Sequence, residues 1–130
     1  MSICTFASAG HSPGQSATLL ALAERWPRPV FLVEADPSST SAVLAGRFRG
    51  QLPHDRGLLP LLGASLRDGL EAGMLREQSL PLAPDRRVVP GFTSLGAARG
   101  AGAFWERLVH LLAELEAAGT DALVDAGRLP

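Results

Sequence analysis

Apolar positions in this chain fall into short continuous runs separated by stretches where they recur every three or four residues. That alternation predicts strands and helices in turn. Ile3, Cys4, Thr5 and Phe6 form a short apolar segment read as a strand, which runs into Ser8-Ala9-Gly10-His11-Ser12-Pro13-Gly14, a cluster of turn-forming residues. From Gln15 onward Leu19, Leu22, Ala23 and Trp26 keep to one helical face, until Pro27 and Pro29 stop the pattern. Val30-Phe31-Leu32-Val33 is a β-branched and aromatic run suited to a strand covered on both faces, and it ends in Glu34-Ala35-Asp36-Pro37. The opening segment therefore predicts strand, Gly-rich loop, helix and strand, about the length of one crossover unit.

The middle of the chain is less regular. Ser41 to Phe48 fits a helix, Leu58 to Leu62 an apolar turn or short helix, and Ser65 to Leu75 an amphipathic helix interrupted by glycines and carrying Leu66, Leu70 and Leu75. Residues 76 to 86 read as a surface connection, Arg87 to Gly91 as a third strand ending in a loop, and Gly96 to Gly102 as a flexible link. Phe104 to Ala118 is the clearest helix, with Phe104, Trp105, Leu108, Leu111, Leu112 and Leu115 on one wide face and Gly119 as its cap. Asp121 to Asp125 gives a fourth strand with a carboxylate at its C-terminal end. Strands alternating with helices predict an α/β fold with a parallel sheet and flanking helices, as a single domain over residues 1–130. Ligands of such sheets sit beyond the C-terminal strand ends, where the loop Gly10 to Gly14, the pair Glu34/Asp36, and Asp125 converge.

Composition narrows the chemistry. All 12 basic residues are arginine, so the chain has no lysine, and it has no tyrosine either. That removes a standard P-loop lysine, a Schiff base, and the Tyr/Lys pair of short-chain dehydrogenases. A net charge of −1 with scattered arginines offers no basic stripe, so direct nucleic-acid binding is not indicated. Cys4 is the only cysteine, which leaves no disulfide framework and no Cys-based metal site. With no apolar run of membrane-spanning length and no charged leader, the expected location is cytoplasmic. His11 reads as an exposed loop residue, and Trp26 and Trp105 as core; His54 and His110 lack companions at metal-ligand spacing.

A glycine-rich turn feeding a helix exposes backbone N–H groups at the positive end of the helix dipole, which suits phosphate. Ser16 offers a hydroxyl to Mg²⁺ and Asp125 a carboxylate that holds the ion through water. A plain strand-to-helix turn accounts for the same residues, and local sequence leaves both open. Set against G-x-x-x-x-G-K-[S/T], Gly14 takes the last glycine, Gln15 the lysine, Ser16 the hydroxyl and Ala9 the first glycine, so two of four positions match. Losing a charge-assisted hydrogen bond of about 1.5–3 kcal/mol weakens binding by about ten- to a hundredfold. Gly10-x-x-x-Gly14-x-Ser16 also approaches the dinucleotide loop of short-chain dehydrogenases, with Glu34 placed 20 residues after Gly14 for a ribose hydroxyl. The missing Tyr and Lys exclude the enzyme form of that reading and leave dinucleotide binding alone.

Ser8 to Thr18, Arg28 to Ser38 and Asp121 to Arg128 together resemble the ParA/MinD-like (SIMIBI class) P-loop ATPases, most of all degenerate actinobacterial members whose loop reads Gly-Ser-Pro-Gly. The resemblance spans roughly the N-terminal half of the family domain. It implies a P-loop fold, incomplete at residue 130, that either is a piece of a longer protein or needs a protein partner or a homodimer to cover an exposed sheet edge and apolar faces. It also implies that Gly10, Ser12, Gly14, Gln15, Ser16 and Ala17 hold the phosphates of ATP or ADP, and that Ser16 and Asp125 meet Mg²⁺. Glu34 and Asp36 match the family's Asp-x-Asp-Pro motif, which orients the attacking water or the metal. Gln15 and Gly10 stand where the family keeps its two lysines. The resemblance thus implies a degenerate Walker A protein in positioning or partitioning, with weak or vestigial nucleotide binding and little or no hydrolysis. A non-catalytic interaction module that keeps the fold without nucleotide is the alternative, and a third is an ATPase rescued by a partner's arginine.

Overall fold

The computed structural model describes residues 3–8, 15–35, 57–67, 69–91 and 102–128. In chain order they form β1 (Ile3–Ser8), α1 (Gln15–Glu24), β2 (Val30–Glu34), α2 (Leu58–Arg67), α3 (Ala72–Glu77), β3 (Leu80–Ala83), β4 (Arg86–Val89), α4 (Gly102–Ala117) and β5 (Asp121–Arg128). The strands make a five-stranded sheet in the order β1-β5-β2-β4-β3. β1, β5, β2 and β4 run parallel and β3 is antiparallel to β4, so the α/β fold with flanking helices is as expected.

The last strand inserts between the first two. β1 pairs with β5 from Ile3↔Ala122, and β5 pairs with β2 from Val30↔Asp121 to Glu34↔Asp125. The continuous apolar reading of Val30 to Val33 is explained by this central place: all five residues of β2 are buried. Alternate residues feed two cores. Val30, Leu32, Val88 and Leu123 pack with Leu19 and Ala23 of α1 on one face. Phe31, Val33, Val89 and Ala122 pack on the other with Leu58 and Leu61 of α2, Leu75 of α3, and Phe104, Leu108, Leu111 and Leu112 of α4. The chain steps from β1 past β5's slot to β2 through α1, and returns from β4 to β5 through α4. Opposite directions of travel put these two helices on opposite faces.

Several expectations change. The helix predicted over Ser65 to Leu75 is two helices, because Gly69 adopts φ +94° and breaks the run between α2 and α3. Leu66, placed on its buried face, is 75% exposed, whereas Leu75 is fully buried. The surface connection at 76 to 86 contains β3, whose Leu80 and Leu82 are buried while Pro81 is exposed. α4 closes as anticipated: Gly119 at φ +104° donates to Glu116 O (3.0 Å), and Thr120 N donates to Leu115 O (2.9 Å), a Schellman cap. The helix expected at Ser41 to Phe48 and the link from Gly96 to residue 101 lie outside the described residues.

Candidate functional site

β2 and β5 are hydrogen-bonded up to their candidate carboxylates and one residue beyond, where Ala35 N donates to Asp125 O at 2.8 Å. Glu34 and Asp125 are direct cross-strand neighbours, so they share a face of the sheet. That face is α1's, because Glu34 lies two residues past Leu32 and Asp125 two past Leu123, both in the core that α1 covers. Both carboxylates are buried, at 7% and 3% exposure, and neither is without a partner. Burying two acids side by side is costly unless hydrogen bonds or a cation offset it.

The far end of α1 is fixed by a separate polar cluster. Trp26, just past the helix, donates from Nε1 to Asp121 Oδ2 at 2.9 Å, and Asp121 is the fully buried first residue of β5. Arg28 Nε lies 3.3 Å from the same oxygen, and Arg86 Nε donates to Trp26 O at 2.8 Å. The ten residues of α1 span about 15 Å. From Asp121 to Asp125 the strand rises about 13 Å. With its C-terminal end held beside Asp121, α1 therefore begins level with Glu34 and Asp125. Of the three features expected to meet at the C-terminal strand ends, Glu34 and Asp125 are neighbours, while the loop Gly10 to Gly14 and Asp36 lie outside the described residues.

Gly91 adds a residue that the sequence reading treated only as a loop start. A Cβ there would lie 2.9 Å from Glu34 O and 3.5 Å from Glu34 Cβ, so the chain leaving β4 passes against the end of β2. The signal was a glycine directly after the apolar run Val88-Val89-Pro90.

Gly10, Ser12, Gly14 and Asp36 lie outside the described residues. Gln15, Ser16 and Ala17 form the first turn of α1, and their side chains are also outside the described set. His11 and His54 are outside it as well; His110 is exposed on α4, 3.4 Å from Glu114. Trp26 is half-buried with its indole nitrogen bonded, and Trp105 packs beside Phe104 with ring centroids 5.5 Å apart, so both serve the core as expected. Among the described residues no cluster of three metal-ligating side chains occurs, and no helix is long and apolar enough to cross a membrane. A groove of about 670 Å³ beside α2 and α3 lies on the sheet face opposite α1.

This arrangement has a counterpart among solved structures. A ParA family ATPase from Chlorobium tepidum superimposes with a TM-score of 0.71 at 19% identity, over 97% of this chain and 51% of that one. The fold is ParA-like. This chain thus spans about half the length of that ParA family ATPase. No model of a known protein family matches the sequence, and no curated protein does.

Proposed function

We propose that this chain is a degenerate ParA/MinD-like domain that keeps the phosphate-holding frame of a P-loop ATPase, binds nucleotide weakly and hydrolyses it little or not at all. Its role under this reading is positioning or partitioning through protein contacts. The observation that carries it is the in-register pair of Glu34, the last residue of β2, and Asp125, three residues before the end of β5, level with α1's first turn and on its face.

The donor set fits a hard divalent cation. Carboxylate oxygens of Asp125 and Glu34 and the hydroxyl of Ser16 are oxygen ligands of the kind Mg²⁺ takes, directly or through water. A bound Mg²⁺ would supply the positive charge that bridges phosphate oxygens. Backbone N–H groups of residues 12 to 16 would face the phosphates at the start of α1, where the helix dipole favours anions. Gln15 donates hydrogen bonds without charge, so the cation opposite the terminal phosphate is missing, which argues against efficient hydrolysis.

Titration with a fluorescent ATP analogue, with and without Mg²⁺, tests the reading. Saturable binding lost in Ser16→Ala or Asp125→Ala is the expected result. No binding at millimolar ligand refutes it and leaves a protein-interaction module on the same fold. Turnover that starts only when a protein partner is added would overturn the non-hydrolysing part of the proposal and point to a partner's arginine.

A further inference from the structure

Two glycines are pressed backbone against backbone along a line that ends at Glu34. Gly57, the residue before α2, has φ +129°, a conformation that glycine alone adopts readily. A Cβ there would lie 2.3 Å from Pro90 O and 3.0 Å from Pro90 C. Leu58 N, at the start of α2, donates to that same oxygen at 3.0 Å. One residue further along, a Cβ at Gly91 would lie 2.9 Å from Glu34 O and 3.5 Å from Glu34 Cβ. Gly57, Leu58, Pro90, Gly91 and Glu34 are all buried.

Main chain against main chain is a stiff contact. A side chain between two elements can change rotamer to absorb a small shift, whereas a glycine against a carbonyl has no such slack, and a close-packed interior passes the displacement on. α2 is held at both ends. Gly57 N donates to Gln78 Oε1 at 3.4 Å, and Arg107 Nη1 donates to Ser65 O in the last turn at 2.7 Å. The line also crosses the sheet: α2 packs on the face opposite α1, whereas Glu34 shares α1's face with Asp125. What happens at the start of α2 therefore reaches a carboxylate on the other side.

We propose that Gly57 and Gly91 are positioning residues for the Glu34 carboxylate, and that the start of α2 is thereby coupled to divalent-cation binding at Glu34 and Asp125. The coupling rests on the nucleotide-binding reading of that pair. It is reciprocal: if a shift at the start of α2 moves Glu34, then fixing Glu34 on a cation must steady the start of α2 by the same factor.

The test is amide hydrogen exchange of the full 130-residue chain with the fluorescent ATP analogue at millimolar concentration, in Mg²⁺ and in EDTA. The Leu58 amide should exchange about fivefold or more slowly in Mg²⁺ than in EDTA. Thr120 N, bonded to Leu115 O at 2.9 Å at the other end of the sheet, should change far less. Equal slowing at both amides is the uniform stabilisation that any ligand of the folded state gives, and it overturns the coupling, as does an unchanged Leu58. In Gly91→Ala the dissociation constant of the analogue should rise about fivefold or more in Mg²⁺ and stay the same in EDTA, where Glu34 has no cation to hold. An equal rise in both buffers marks a merely structural role and overturns the positioning. If Gly91→Ala does not fold, exchange in the unmodified chain still decides. Binding that is absent from the unmodified chain, or identical in both buffers, refutes the nucleotide-binding reading and the coupling with it. Mg²⁺-dependent binding with Leu58 unmoved refutes the coupling alone.

Discussion

Replacing Gly91 by alanine should destabilise the protein, whereas the same replacement at Gly73 should stabilise it, because only at Gly91 does the added carbon meet backbone. A Cβ at 91 falls 2.9 Å from Glu34 O, a backbone atom at the end of a central strand, so relief requires moving the end of β2. Overpacking of this kind costs about 1–3 kcal/mol. At Gly73, near the start of α3, nothing lies within 4 Å of the added carbon. There alanine mainly narrows the unfolded ensemble, a gain of about 0.4–1 kcal/mol. With a urea m-value of about 1–3 kcal/mol/M, the midpoint should fall by about 1 M for Gly91→Ala and rise by a few tenths for Gly73→Ala. Equilibrium urea unfolding followed by circular dichroism reads both. Equal midpoints for the two variants would refute the claim that the chain after β4 is wedged against Glu34. If the proposed function holds, Gly91→Ala should also weaken binding of the ATP analogue, because Glu34 moves, while Gly73→Ala leaves it unchanged.

Trp26→Phe removes the donor to the fully buried Asp121 carboxylate and should cost about 1–3 kcal/mol in urea unfolding, since the acceptor stays buried; a neutral result would mean that Arg28 alone satisfies that oxygen. Arg107→Ala removes the bonds from Nη1 to Ser65 O (2.7 Å) and Ser65 Oγ (2.9 Å) that tie α4 to α2. It should cost about 0.5–1.5 kcal/mol and speed proteolysis within α2. Gln15→Lys restores the missing cation and should tighten Mg²⁺–ATP by about ten- to a hundredfold in calorimetry. An unchanged affinity there would remove charge as the reason for weak binding.

The elements that a linear reading finds here are those whose pattern survives into the fold. α1, β2, α4 and β5 are bounded by proline or glycine and each appears close to its expected place, although Leu22 of α1 is exposed and β5 runs on to Arg128, three residues past Asp125. The glycine interruption read between Ser65 and Leu75 becomes a full break between α2 and α3, because Gly69 takes a left-handed conformation although Leu66, Leu70 and Leu75 continue a nearly helical spacing across it. β3 was hidden for a different reason: Leu80 and Leu82 do alternate with Pro81, but turn-forming residues surround them and a proline demotes any strand to an edge. At the site, the sequence brings Glu34 and Asp125 to the same end of the sheet without making them neighbours. Their adjacency arises only when β5 inserts between β1 and β2, which depends on how α4 packs rather than on any local signal.

The charge balance around the strand ends follows from where the cations are. No lysine or arginine occurs before Arg25, which lies at the end of α1 held beside Asp121, about 15 Å from the helix start. Over that segment the chain supplies backbone N–H groups and a helix terminus equivalent to roughly half a positive charge, and Arg128 ends β5 three residues past Asp125. Against these stand two buried carboxylates. An anion 4 Å from a carboxylate is repelled by about 4 kcal/mol at an effective dielectric of 20, more than the dipole of a single helix returns. Under the proposed reading the divalent ion therefore carries charge that a lysine-bearing loop would share. Nucleotide affinity in this protein should then depend on Mg²⁺ more steeply than in a loop with its lysine, and Gln15→Lys should flatten that dependence as well as raise the affinity.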